Sequence, residues 1–133
     1  GEPSKVNDTV IGVSDIQDMA GSIVMTGMDK NVIPHLPPFG LFNAIAPKVQ
    51  KGRIVGRASL DACLVAAGKA DGYFEAGIFV WDLAAAGLIV RNAGGQTSLL
   101  AELGGHRLAY MATNGHIHEE LKALLSPMIA PPA

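Results

Sequence analysis

Apolar runs bounded by Gly, Pro, Asn and Asp alternate along this chain between a strand-like and a helix-like period. Residues 1–9 are polar and turn-rich and read as a leading loop, and Thr9-Val10-Ile11-Gly12-Val13-Ser14 has strand composition. Ser14 ahead of Asp15-Ile16-Gln17-Asp18-Met19-Ala20 predicts a short helix with a Ser N-cap and acids in its first turn. Ser22-Ile23-Val24-Met25-Thr26 reads as a strand closed by Gly27. Pro34-His35-Leu36-Pro37-Pro38 fits neither a helix nor a central strand and is a loop. Phe39, Phe42, Ile45, Ala46 and Val49 have helical spacing, with Pro47 placed to end or kink the helix. Arg53-Ile54-Val55 is a short strand stopped by Gly56.

The second half is more regular. Ala58 to Ala67 is rich in Ala and Leu at helical spacing, and Gly68 is its C-terminal stop. Tyr73 to Val80 is aromatic and β-branched and reads as strand. Asp82 to Arg91 is a second Ala-rich helix, stopped by Gly94-Gly95. Gln96 to Leu100 and Leu108 to Thr113 read as strands separated by a turn at Gly104-Gly105. Asn114 caps a last amphipathic helix from His116 to Leu125, which Pro127 ends, and the tail Ala130-Pro131-Pro132-Ala133 frays. The alternation predicts an α/β fold, a layered mixed β-sheet with helices packed on it, formed as a single α/β domain over residues 1–133.

Composition narrows the function classes. The 133 residues are 49% apolar, enough for a real core. Only 17% are charged, against about 25% in ordinary domains, which predicts that part of the surface is covered by a partner or by a further part of the same protein. Net charge is −2 and the basic residues are scattered, so a nucleic-acid partner is not expected. Cys63 is the single cysteine; it excludes an internal disulfide, favours a reducing, cytoplasmic setting, and reads as a small buried hydrophobe. No signal or transit segment is visible, and the longest apolar run, Leu83 to Val90, is far short of the ~20 residues that cross a bilayer. The chain starts Gly1-Glu2-Pro3 without Met, which reads as a processed or engineered start and is compatible with the end of a longer protein.

Few residues offer chemistry. Asp82 opens a helix, where a carboxylate either caps backbone N–H groups or holds a hard cation beside an anion at the positive helix end. Glu75 interrupts an apolar strand and by alternation shares a face with Tyr73 and Gly77; it is either solvated at a sheet edge or a rigidly held acceptor for a substrate hydroxyl. Gly56-Arg57-Ala58 joins a strand to a helix and lets a ligand approach backbone N–H groups, without the Gly and Lys spacing of a nucleotide-binding loop. His116-Ile117-His118-Glu119-Glu120 lacks zinc-site spacing and reads as a solvent-facing helix start. His35 and His106 fall in loops without a partner near in sequence, and no nucleophile elbow is present.

Taken together, these segments resemble the inositol monophosphatase family. Its Gly-Ser/Thr-Ala-Ala turn corresponds to Gly56-Arg57-Ala58-Ser59, and its Ala-rich helix and following strand to Val65-Ala66-Ala67-Gly68-Lys69-Ala70-Asp71-Gly72-Tyr73-Phe74-Glu75. Its Trp-Asp helix and Ala-Gly-Gly stop correspond to Trp81-Asp82-Leu83-Ala84-Ala85-Ala86-Gly87 and Ala93-Gly94-Gly95. Ala112-Thr113-Asn114-Gly115 before the last helix also fits, and similarity extends weakly from Asn7 to Gly27.

The resemblance implies the C-terminal half of an inositol monophosphatase-like (sugar phosphatase) fold and a Mg²⁺-dependent hydrolysis of phosphate monoesters. It makes Asp82 a Mg²⁺ ligand lying near the substrate, Glu75 the acceptor for a ring hydroxyl, and the backbone of Gly56, Arg57 and Ala58 the wall of the substrate pocket. The implied substrate is inositol monophosphate or another small phosphorylated polyol; a fructose bisphosphatase, a nucleotide 3′-phosphatase and a non-catalytic α/β scaffold are the alternatives. Arg57 stands where many members have a small hydroxyl residue, and either pairs with an anion or packs on the surface. The family's Gly-Glu-Glu helix and Asp-Pro-x-Asp-Gly-Thr loop are not in this sequence, so the resemblance implies a missing N-terminal half of the same enzyme as partner and an inactive isolated chain. An apolar face left by that division predicts a homo-oligomer.

Overall fold

The computed structural model describes residues 5–6, 9–27, 33–37, 39–54 and 58–130. Its strands are β1 (Lys5–Val6), β2 (Thr9–Val10), β3 (Ile23–Thr26), β4 (Lys51–Ile54), β5 (Gly72–Phe79), β6 (Gln96–Gly104) and β7 (Arg107–Thr113). Its α-helices are α1 (Gly40–Ile45), α2 (Ala58–Ala66), α3 (Val80–Asn92) and α4 (His118–Ile129). β1 and β2 form a separate antiparallel pair, and the other five strands form one mixed sheet in the order β4-β3-β5-β7-β6. β3 runs parallel to both β4 and β5, while β7 runs antiparallel to β5 and β6. β5 is therefore the middle strand, paired on both sides.

The two faces of this sheet are covered by different helices. On one face Met25, Tyr73, Tyr110 and Ala112 pack with Ala62 and Val65 of α2 and Ala86 and Val90 of α3. On the other Val24, Phe74 and Met111 pack with Ile45 of α1 and Leu121, Leu125 and Ile129 of α4. Adjacent strand residues go to opposite faces, as the pleat requires, and burying each large side chain contributes about 1.5–3 kcal/mol. The alternation along β5 is interrupted at Gly77, whose φ of 103° makes it a bulge between Ala76 and Ile78. Ile78 consequently joins the same face as Tyr73, and the Gly77 carbonyl accepts a 2.7 Å hydrogen bond from Arg107. The bulge lets one strand carry residues toward α2 and α3 on both sides of the break.

The layered mixed α/β architecture expected from the sequence is the one found, with local differences. Residues 11–17 are irregular, and no helix follows Ser14. Its hydroxyl donates to Asp71 Oδ1 and accepts from Asn114 Nδ2, so tertiary partners take the oxygen that an N-cap would have used. Asp71 Oδ2 also accepts from the Ile23 N–H at 2.7 Å, which ties this segment to the start of β3. The leading segment expected to be a loop contains β1 and part of β2. Pro47 ends α1 as its ring demands, the chain continuing as a 3₁₀ turn over Ala46–Lys48. Pro127 does not end α4; it sits inside the helix, whose last turn closes with the Ala130 N–H donating to Ser126 O at 3.1 Å. Cys63 is half-buried rather than enclosed.

Candidate active site

Glu75 is the first polar anomaly of the middle strand. Its side chain is 6% exposed in a strand paired on both sides, so the sheet-edge alternative fails. The carboxylate is held by its own face: the Tyr73 hydroxyl, two residues back, donates to Oε1 at 2.7 Å. Tyr73 is itself fully buried, and burial together with the charge of Glu75 pushes its phenol well above the ordinary range. Across the β3–β5 pairing, the carboxylate lies against Gly27. A β-carbon at Gly27 would stand 2.1 Å from Glu75 Oε1 and 2.5 Å from Cδ, so any side chain there would force the carboxylate to move. Gly77, expected on the same face, is instead the bulge.

A second acid lies close by. Asp61, one turn into α2, is completely buried, and among the described residues neither of its carboxyl oxygens has a hydrogen-bond partner. Burial, and after it the charge of Glu75, push its carboxyl up to about 7. Nothing in the sequence reading singled out Asp61 or the Tyr73 hydroxyl. The available signal was one acid on a helix otherwise made of Ala, Leu, Val, Ser and Cys.

Asp82 lies on the exposed first turn of α3, immediately beyond the end of β5. The N-cap position is Phe79, and no side chain caps this helix start, so the capping alternative for Asp82 does not hold. The first N–H group of the helix, that of Val80, donates to the His106 carbonyl at 3.0 Å, and the carboxylate sits in the first turn, near the positive end of the helix dipole. An aromatic group flanks it: the Phe79 and Trp81 rings stack at 4.7 Å, Arg107 lies 4.0 Å over the Phe79 ring, and Trp81 remains 61% exposed. Gly56 and Arg57 lie outside the described residues, and Ala58 is the first residue of α2. The helix that this turn enters is the one that brings Asp61 to Glu75.

The start of α4 faces solvent through His116, Glu119 and Glu120, as expected, but not through His118. His118 is completely buried, with Nδ1 2.9 Å from Thr113 Oγ1 and Nε2 2.7 Å from Ser98 Oγ. Burial lowers its pKa. Asn114 does cap this region, accepting from the N–H groups of His116 and Ile117 at 2.9 and 3.3 Å. Among the described residues, no three His, Cys, Asp or Glu side chains converge in a way that would hold a metal ion.

Fold and polar groups together define an α/β layered domain with two buried acids, Glu75 and Asp61, where the middle strand meets α2, and a third, Asp82, exposed on the first turn of α3. The sequence matches the model of the inositol monophosphatase family over residues 1–130. The chain belongs to the inositol monophosphatase family. It is 41% identical over 119 residues to the Nus factor SuhB of Pasteurella multocida (strain Pm70), covering 88% of this chain and 42% of that protein. It is 34% identical over 117 residues to the inositol-1-monophosphatase of Mycobacterium bovis (strain ATCC BAA-935 / AF2122/97), covering 87% of this chain and 40% of the relative. Among solved structures, the inositol monophosphatase from Anabaena (Nostoc) sp. PCC 7120 superposes with a TM-score of 0.79 at 32% identity, over 95% of this chain and 52% of that one. The chain thus spans about two-fifths of the curated relatives and about half of the solved chain.

Proposed function

We propose that this chain is the C-terminal part of a Mg²⁺-dependent phosphomonoesterase that hydrolyses inositol monophosphate or a related small polyol or sugar phosphate. The observation that carries the reading is a rigidly held, buried acceptor, Glu75, on the strand that leads into a helix whose first turn offers an uncapped acid, Asp82. That pairing suits a ligand with a polyol at one end and a phosphate at the other. Glu75 would receive a ring hydroxyl, oriented by Tyr73 from one side and confined by Gly27 from the other. The start of α3 would face the phosphate with the positive end of its dipole. The backbone of Gly56, Arg57 and Ala58 would close the pocket.

The residues fit one ligand of a magnesium site. Magnesium takes one or two carboxylates, with water and substrate phosphate oxygens filling the remaining positions. An exposed carboxylate with no capping hydrogen bond, Asp82, meets that description. The other protein ligands would come from the part of the longer relatives that this chain does not span. When bound, the metal supplies charge neutralisation on the phosphate and an activated water; the chain's own work is to orient the hydroxyl end and to exclude solvent around Glu75.

The setting proposed is cytoplasmic; among the described residues no helix is long and apolar enough to cross a membrane. The partners proposed are the N-terminal remainder of the same enzyme and a second copy of it. Trp81, Leu88 and Leu99 are at least half exposed, a surface that a covering partner would bury. A monomer by sedimentation at high concentration would count against the second copy.

The test of the activity is Asp82→Asn in the longer enzyme, assayed on inositol 1-phosphate with Mg²⁺. Turnover is expected to fall on the order of 10²–10³-fold, with thermal unfolding changed by less than ~0.5 kcal/mol because the site is exposed. The isolated 133-residue chain should show no turnover. Full activity of either species would overturn the reading.

A further inference from the structure

Asp61 is a charge-bearing side chain sealed inside the domain. It is completely buried one turn into α2, and among the described residues neither carboxyl oxygen meets a donor. An ionised carboxylate there would lose its hydration with nothing in exchange, and such groups neutralise instead. Its nearest acidic neighbour is better placed to carry charge: Glu75 accepts the Tyr73 hydroxyl at 2.7 Å. One helix face and one strand face thus bring together an acid with a donor and an acid without one.

We infer that Asp61 is a positioning residue for Glu75: below neutral pH it holds a proton and presents no charge to the neighbouring carboxylate, which keeps its place as acceptor for the substrate hydroxyl. The inference rests on Glu75 having the acceptor role proposed above. Burial and the neighbouring charge, which push Asp61 up to about 7, point the same way. The groups around it agree. β5 presents Glu75 and Tyr73 to α2, and β7 places Tyr110 beside Tyr73. α3, which also packs on α2, carries Asp82 and Arg91, and neither contributes to the shift of Asp61. Above neutral pH Asp61 gives up its proton to solvent, and the repulsion between two buried carboxylates displaces the Glu75 side chain from its place beside Tyr73. A contact made equally to substrate and transition state is lost in KM, with kcat little changed.

The experiment compares the longer enzyme with its Asp61→Asn variant, which keeps the shape and is neutral at every pH. Inositol 1-phosphate titrates identically for both, so the readout is the ratio of the two KM values. From pH 6.5 to 8.5 that ratio, wild type over variant, should rise roughly tenfold while the kcat ratio stays flat. A constant KM ratio overturns the inference. In parallel, carboxyl ¹³C NMR of the 133-residue chain should give Asp61 a midpoint near 7, lowered in Glu75→Gln. A midpoint near the ordinary ~4 overturns it independently of any activity. If the longer enzyme hydrolyses no phosphate ester while Asp61 still titrates near 7, the proton assignment stands and the phosphatase reading fails.

Discussion

Adding one methyl group at Gly27 tests whether the glycine, Glu75 and Tyr73 form a single mechanical unit. In Gly27→Ala the new β-carbon would lie 2.1 Å from Glu75 Oε1, 2.5 Å from Cδ and 3.1 Å from Cγ. Either the carboxylate retreats by at least ~1 Å to reach ordinary contact, or β3 parts from β5. The second route breaks the parallel register of Val24, Met25 and Thr26 on Gly72, Tyr73 and Phe74, so the side chain should give way first. Retreat breaks the Tyr73–Glu75 hydrogen bond and leaves a fully buried hydroxyl unpaired, which costs about 1–3 kcal/mol. With residual crowding the total should be about 2–3 kcal/mol, or roughly 10 °C in Tm for a domain of this size. Urea unfolding of wild type, Gly27→Ala, Tyr73→Phe and the double variant closes a cycle. The coupling between the two positions should be about 1–2 kcal/mol, because the hydrogen bond can be lost only once. A cost for Gly27→Ala below ~0.5 kcal/mol, or the same cost in both backgrounds, would show that Glu75 is not confined as described. In the longer enzyme the same substitution should raise KM for inositol 1-phosphate more than it lowers kcat.

Two further outcomes follow from the packing. His118 is buried with a lowered pKa, so the unfolded chain binds the proton more readily; stability is present above pH ~6.5 and is lost as pH falls toward the lowered value, with a limiting slope of about 1.4 kcal/mol per pH unit. His118→Phe should flatten that slope in unfolding measured between pH 7.5 and 5.5 while destabilising the chain at both, since Ser98 and Thr113 lose their partner; an unchanged slope would refute the assignment. The adjacent glycines of the stop after α3 should differ in kind. Gly94 has φ of 93° with its nearest contact at 3.9 Å, so Gly94→Ala should cost about 1–2 kcal/mol of backbone strain. A β-carbon at Gly95 would meet the backbone oxygen of Thr113 at 2.5 Å, which cannot swing aside, so Gly95→Ala should cost more in the same urea titration, and equal costs would count against the packing.

The elements legible in the sequence are those fixed by local chemistry. Gly68 stops α2 with φ of 75°, and Gly104 and Gly105 make the β6–β7 turn with φ of 84° and 60°, because only glycine enters that region freely. β3 and β5 are likewise legible from their apolar, β-branched and aromatic composition, and α2 and α3 from their Ala-rich runs. What failed depends on partners far along the chain. Ser14 has ideal N-cap chemistry, but Asp71 and Asn114 claim its hydroxyl. His118 stands in a polar string, and only the folded chain sets Ser98 and Thr113 on either side of its ring. Pro127 reads as a stop by local rule, yet Leu121, Leu125 and Ile129 pay for the missing backbone hydrogen bond by holding α4 against the sheet. Of the site, Glu75 was legible as a polar break in an apolar strand, and Asp82 as an acid at a helix start. Asp61 was not, because an acid on an Ala-rich helix gives no sign of whether its face is wet.

That last point bears on what the acids are for. The middle strand could have been entirely apolar, and a Leu or Met at position 75 would avoid burying a carboxylate. Instead the chain buries Glu75, supplies Tyr73 to hold it, keeps position 27 without a side chain to admit it, and places a second, unpartnered acid next to it. Each choice is unfavourable to packing alone, and all of them act on one carboxylate. Local rules broken repeatedly around one carboxylate are the physical ground for the proposal that Glu75 is kept for binding. The positive end of the α3 dipole just beyond β5, with Asp82 in its first turn, is the ground for proposing an anion and a hard cation as the ligands. At that helix end Phe79 offers no capping side chain, and the Val80 N–H donates instead to the His106 carbonyl at 3.0 Å.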